Sequence, residues 1–428
     1  MEAQLMSRLL LLLSFIIVSG EAAPTLVSLP GFDGALPFRL ETGYVTVDEE
    51  HGSELFYYFI ESEGDPRRDP VLLWLTGGDR CSVLSALLFE MGPLRFVIEP
   101  YDGAAGTVPR LHYHPYSWTK AASVLFVDSP VGAGFSFSRD PRGYDVGEVS
   151  SSLQLKTFLT KWFTEHPDYL SNHFYVGGDS YAGKIVPNVA QKISEDIEAG
   201  LKPTINLKGY LVGNPITGEA IDMDSRVPYL HGVGVISDQL YETIMEHCHG
   251  EPYDNPKNVI CAQAMDRLKA LLEEIYDSQI LYKKCNYLSP TPNDESTQVR
   301  ILQQETGALK HPPPRPQVDC HGYITYLAYV WANNNITREN LGIKEGSMGE
   351  WVRCHEKDLP FTHDIESSIK YHRNITSKGY HALVYRFTIA YTNNMTFATV
   401  KGGGHTAPSY QPERCLAMLR RWISNEPL

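Results

Sequence analysis

The chain has 428 residues, 43% of them hydrophobic, enough to bury a large core, and its length suits one α/β core carrying a big insertion or two to three domains. A formal net charge of -14 argues against nucleic acid or an anionic membrane surface as a partner. At the N-terminus Arg8 precedes the apolar run Leu9 to Val18 and the small residues Ser19 to Ala23, which predicts a secretory signal peptide over 1–22. About ten apolar residues are too few to span a bilayer. The mature chain is therefore expected in the secretory pathway, secreted or vacuolar. Apolar runs bounded by turn residues follow at Val71 to Leu75, Ser123 to Val127, Phe174 to Val176 and Leu207 to Val212, with a helical stretch from Ser150 to Thr164. Strands alternating with helices predict a mostly parallel sheet covered on both faces. After Asn214-Pro215 the pattern turns helical, carries four cysteines and includes the proline tract 311–316, read as an exposed linker. A strand pattern returns at His381 to Tyr391 and Met395 to Val400, and Pro412 to Ile423 reads as an amphipathic helix. These elements divide the chain into a first core part, 23–217, an insertion, 218–345, that caps the site, and a second core part, 346–428.

Chemistry concentrates in two places. "VGGDSYAGK" (176–184) sets Ser180 between an apolar strand and a helical pattern from Ala182 to Ala199, the strand–turn–helix context of a nucleophile elbow. The strict form would have Gly where Ala182 stands, so the stretch by itself fits an ordinary strand-to-helix turn equally well. Far downstream, "KGGGHTAP" (401–408) places His405 after three glycines, in the order serine then histidine of an α/β-hydrolase. Gly77-Gly78, after the first strong strand, offers a backbone N–H for an oxyanion, the other being that of Tyr181. His112-Tyr-His114 and His247-Cys-His249 lack metal-ligand spacing, and Val131 to Ser136 lacks the third glycine of a dinucleotide site, so neither metal nor cofactor is expected. Seven cysteines without a C-x-x-C pair suit three disulfides and one leftover thiol in an oxidising compartment. Asn335, Asn374 and Asn394 head N-x-[ST] acceptors for glycans.

"ETGYVTV" (41–47), "LLWLTGG" (72–78), "PYSWTKAASVLFVDSPVGAGFSFS" (115–138), "GDSYAG" (178–183), "LKGYLVGNPIT" (207–217) and "NNMTFATVKGGGHTAP" (393–408) together resemble the serine carboxypeptidase-like family, specifically its plant acyltransferase branch. The resemblance implies an α/β-hydrolase fold with Ser180 as nucleophile, His405 as general base, and Gly78 and Tyr181 as oxyanion donors. It also implies disulfides Cys81–Cys354, Cys248–Cys261 and Cys285–Cys320, with Cys415 free. Family carboxypeptidases hold the substrate carboxylate with Asn and Glu where this chain has Thr76 and Asp179. Aspartate before the serine is typical of the relatives that move an acyl group from a glucose ester to a small acceptor. The expected partners are thus a small acyl donor and acceptor, or alternatively a peptide C-terminus for a carboxypeptidase. A third reading is a non-catalytic secreted glycoprotein.

Two departures from the family pattern stand out. The family's Gly-Gly-Pro-Gly-Cys reads Gly77-Gly78-Asp79-Arg80-Cys81, which alters the loop that aims the Gly78 N–H. The strand His381 to Tyr385 should lead into a Ser-Gly-Asp-x-Asp loop that supplies the triad acid, but Arg386 and Phe387 follow at once. The chain is expected to be truncated around 385–387 and to lack that acid. Asp358 and Asp364 lie between Ser180 and His405 in chain order and could in principle take its place, but both precede the strand where the family's acid follows it. Parallel strands need a crossover of roughly a dozen residues, so "HALVYRFTIAY" (381–391) is expected to form one bent strand or to disturb the sheet edge.

Overall fold

The computed structural model describes residues 25–103, 106–218, 222, 225–251, 253, 255–276, 278–282, 284, 315–355, 358–385 and 394–428. The expected signal peptide, Cys285 and most of the proline tract (311–314) fall outside these residues.

Ten strands form one sheet. Its path runs Thr25–Leu26, Leu40–Asp48, Ser53–Ile60, Ser123–Val127, Val71–Leu75, Phe174–Asp179, Leu207–Gly213, His381–Tyr385 and Met395–Ala398, with Phe137–Ser138 paired to the side of Ser53–Ile60. From Ser123–Val127 onward every pairing is parallel. The first strands pair antiparallel, with a long hairpin of Leu40–Asp48 and Ser53–Ile60. The fold is an α/β-hydrolase sheet with an antiparallel edge.

The central strands are continuous apolar runs because both faces are covered. Along Val71–Leu75, Leu72 and Trp74 enter one core, while Val71, Leu73 and Leu75 enter the other. That alternation is the pleat itself. Glu148–Glu165 and Ala182–Glu198 cover the second face with Phe158, Trp162, Val186 and Val189. Gly322–Asn333 and Pro412–Ile423 cover the first with Tyr323, Trp331, Leu419 and Trp422. Helices Arg226–Gly232, Asp238–His247 and Val259–Leu272 enclose a smaller core of their own around Leu230, Ile244, Cys261 and Leu268. Among the described residues no helix is long and apolar enough to cross a membrane.

One expectation needs correction. Met395–Ala398 lies parallel beside His381–Tyr385, so the sheet edge is extended by a regular neighbour and is not disturbed there, while the rest of the expected bent strand, 386–391, lies outside the described residues. Nine residues separate the two strands, 386 to 394, of which 386–393 lie outside the described residues. A return along a five-residue strand covers about 17 Å, and nine residues reach up to about 30 Å.

Cys81–Cys354 and Cys248–Cys261 are disulfides, Cys320 is disulfide-bonded, and Cys415 is a buried free thiol. Asn335, Asn374 and Asn394 are all exposed.

Candidate active site

Parallel strands deliver their C-terminal ends to one rim, and loops at that rim hold the ligand sites of open α/β sheets. Here the rim receives Thr76 to Arg80, Ser180, Asn214 and the 402–405 loop.

Ser180 has φ +55°, a left-handed conformation that a serine adopts only when its surroundings impose it. Its N–H donates to the Gly213 carbonyl at 2.8 Å, and its own carbonyl accepts from Ile216 N at 2.9 Å. The strand Phe174–Asp179 and the helix from Ala182 fix both sides of this turn. A Cβ on Gly77 would lie 2.5 Å from the Ser180 Cβ, so only glycine lets the two loops meet. Gly78 has φ +85°, open to glycine at little cost, and lines a small cavity with Thr76, Asp79, Tyr181 and Phe361.

His405 reaches the serine from the far strand. Its Nε2 lies 2.8 Å from Ser180 Oγ, within hydrogen-bond reach for proton transfer. The histidine loop is tied down at three points. His405 N donates to the Ser278 carbonyl at 2.7 Å, Asn214 Nδ2 donates to the His405 carbonyl at 2.6 Å, and Gln279 Nε2 donates to the Gly402 carbonyl at 3.3 Å. Asp364 accepts from Val149 N at 2.9 Å, at the start of the Glu148–Glu165 helix. Asp358 pairs with His355 at 2.6 Å.

The altered Asp79-Arg80 loop is anchored by its own side chains. Arg80 is fully buried, and its Nη2 donates to the carbonyls of Tyr144 and Pro360 at 2.5 and 2.6 Å. Burial pulls the guanidinium down to about 10, so it stays charged at neutral pH. Next to it Cys81–Cys354 fastens the loop, and His355 N donates to the Arg80 carbonyl. Arg80 thus ties a loop that proline and glycine shape in the family.

Asp179 does more than precede Ser180. Its Oδ1 accepts from Gly77 N at 3.0 Å, which orients the Gly77-Gly78 loop. Burial pushes the carboxyl up to about 7, opposed by the Gly77 bond and by Arg353. Glu90 is buried near it and is pushed well up by burial and then by the Asp179 charge. Two facing carboxyls out of water favour a neutral member that can donate a hydrogen bond. Sequence reading missed Glu90. Its signal was an acid inside the apolar run "LLFEMG" (87–92), where a charge needs a reason. Glu148 and Lys184 were missed as well. They pair at 2.5 Å behind Tyr181, whose hydroxyl donates to Glu148.

The raised Asp179 has a stability consequence. Unfolded, an aspartate loses its proton near pH 4, while folded Asp179 keeps it until about pH 7. The folded state therefore holds the extra proton in that window, and the group's contribution to stability falls as pH rises through it. Asp179→Asn retains the acceptor for Gly77 and removes the titration. Between pH 4 and 8 the wild type should lose stability relative to the variant, on the order of 4 kcal/mol shared with Glu90. Urea unfolding at the two pH values measures it, and parallel pH profiles for the two proteins would contradict it.

The serine carboxypeptidase (Peptidase S10) profile matches residues 30–388 and 386–425. The two pieces meet where the sequence passes from Tyr385 to Phe387 without the family's loop. "Serine carboxypeptidase-like 19" of Arabidopsis thaliana is 39% identical, with 98% of each chain covered. "Serine carboxypeptidase-like 11" of the same plant is 40% identical over 99% of this chain and 100% of that one. Among solved structures the fold resembles Kex1(delta)p, a prohormone-processing carboxypeptidase from Saccharomyces cerevisiae, with a TM-score of 0.67, 16% identity, and 94% and 95% of the two chains covered. With a left-handed serine at the strand-to-helix turn, a histidine within reach, and a family match along most of its length, the chain belongs to the serine carboxypeptidase family.

Proposed function

We propose that this protein transfers an acyl group from a glucose ester to a small acceptor through an acyl-enzyme on Ser180. The observation that carries the reading is the 2.8 Å approach of His405 Nε2 to Ser180 Oγ. In the first step His405 takes the hydroxyl proton while Oγ attacks the ester carbonyl. The resulting oxyanion sits toward the N–H groups of Gly78 and Tyr181. Collapse expels the sugar, which takes the proton back from His405, and an acceptor hydroxyl then repeats the sequence in reverse. Hydrolases and transferases of this kind share the acyl-enzyme and differ in the second nucleophile. Thr76 and Asp179 favour transfer, because they stand where the family's peptidases place Asn and Glu. A carboxypeptidase acting on a peptide C-terminus is the second reading, favoured by the buried Glu90–Asp179 pair, whose neutral member can donate to a carboxylate. Passage through the secretory pathway fits the Cys81–Cys354 and Cys248–Cys261 bridges.

Turnover of acyl-glucose against blocked dipeptides tests the choice. Acyl-glucose is the expected substrate, and release of C-terminal residues without acyl-glucose turnover would overturn the proposal. Activity is also proposed to be low relative to intact relatives, because the loop carrying the family's triad acid is missing from the sequence at Tyr385–Phe387. Losing that acid's function costs roughly 10⁴ in turnover in a serine protease. Inserting the loop of an intact relative at this join should raise the rate of Ser180 labelling. A chimera no faster than the wild type would show that the chain already orients His405 well.

A further inference from the structure

Beside the oxyanion loop lies a charged patch that the family resemblance does not account for. Asp79 stands directly after the oxyanion donor Gly78, and its Oδ2 faces His363 Nε2 at 3.6 Å. The other imidazole nitrogen, Nδ1, lies 2.7 Å from the Tyr181 hydroxyl. That hydroxyl spends its own proton on Glu148. It can therefore only accept from His363, which places a hydrogen on Nδ1. Nε2 is then the atom that gains or loses a proton. When it is bare, a lone pair faces the Asp79 carboxylate; when it is protonated, an N–H⁺ does.

The surrounding charges leave this proton in a deciding position. Glu148 is 3.7 Å from His363 Nδ1 but is neutralised by Lys184 at 2.5 Å. Asp364 also faces Tyr181, and its carboxylate caps Val149 N. Arg80 faces Asp79 but is shared with Asp145 and Asp358 and is held by the Tyr144 and Pro360 carbonyls. The carboxyl of Asp79 is half-buried, and that burial raises it while the His363 charge lowers it. His363 is 57% exposed, so solvent supplies its proton freely.

We infer that His363 is a positioning residue whose proton sets the charge beside the oxyanion hole. Cationic, it screens Asp79 from the oxyanion held by Gly78 and Tyr181; neutral, it leaves Asp79 to oppose that oxyanion. This rests on the reading of Ser180 as nucleophile.

The test is the pH dependence of Ser180 labelling by a fluorophosphonate, with Asp79→Asn and His363→Gln compared with the wild type. Both proteins keep Ser180 and His405, so dividing the Asp79→Asn rate by the wild-type rate isolates the contribution of Asp79. The ratio should rise about tenfold from the acid to the alkaline end of the profile, the order expected of one unit charge several ångströms away in a partly solvated site. His363→Gln, at an exposed position, should be slow across the whole range. Adding Asp79→Asn to it should restore the rate, which marks the pair as coupled. A flat ratio, or a His363→Gln rate that follows the wild type at low pH, would overturn the inference while leaving Ser180 as nucleophile. Absence of any label removed by Ser180→Ala would overturn both.

Discussion

Ser180→Ala is expected to abolish covalent labelling by a fluorophosphonate and all acyl transfer, while the protein remains folded. The attacking atom is Oγ, and removing the nucleophile of a serine hydrolase costs on the order of 10⁶ in turnover. The fold should tolerate the change. Alanine at φ +55° suffers the same backbone strain as serine, and the turn is held by main-chain bonds to Gly213 and Ile216 that no side chain makes. Intact-mass spectrometry after reagent treatment measures the label, and circular dichroism checks the fold. A variant that still labels at the wild-type rate would place the reactive group elsewhere. In the proposed mechanism His405 takes its proton from Ser180, so such a result would also remove that role from the 2.8 Å contact.

Cys81→Ser combined with Cys354→Ser is expected to be the most destabilising change outside the site. The bridge joins residues 273 apart in sequence, and chain-entropy scaling for a loop of that size gives about 5 kcal/mol. Its place matters as much as its loop length. Ser82 N donates to the Arg353 carbonyl and His355 N to the Arg80 carbonyl, so the disulfide clamps a short antiparallel contact directly below the oxyanion loop. Without it, the segment that follows Gly78 loses one of its anchors. Urea unfolding should show a large drop in midpoint, and labelling of the folded fraction should slow as well. An unfolding midpoint equal to the wild type's would show that the loop-closure term is offset by residual order in the reduced, unfolded chain.

The parallel strands could be read from sequence because burial on both faces leaves an unbroken apolar run. Val71–Leu75 and Ser123–Val127 have the same ends in the structure as in the sequence pattern. The helix Pro412–Ile423 was legible for a similar local reason, since proline opens it and its apolar residues recur on one face. The long hairpin of Leu40–Asp48 and Ser53–Ile60 was not. Its strands carry Glu41, Thr42 and Glu54 at buried positions, which breaks the apolar pattern. Those acids are tolerated because distant residues satisfy them. Tyr57 and His166 meet Glu41 at 2.8 Å each, and Arg139 and Lys344 meet Glu54.

The same distinction runs through the site. Ser180 and His405 sit in local stretches that single them out once the longer motifs are read with them, because an elbow needs its strand, glycines and helix in immediate succession. Glu90 near Asp179, and His363 between Asp79 and Tyr181, have no such signature. Their chemistry depends on which charge faces which, and at what depth from water. Pairs drawn from residues 79, 148, 181, 184 and 363 become neighbours only when the sheet has ordered its strands and the segment carrying His363 has packed against Tyr181. By itself the sequence determined the family, the strand-and-helix alternation, and the serine and histidine that the fold brings within 2.8 Å of each other. The tertiary structure alone decided which acids are buried and where the imidazole proton points, because electrostatic interactions act through space while sequence patterns record only local succession.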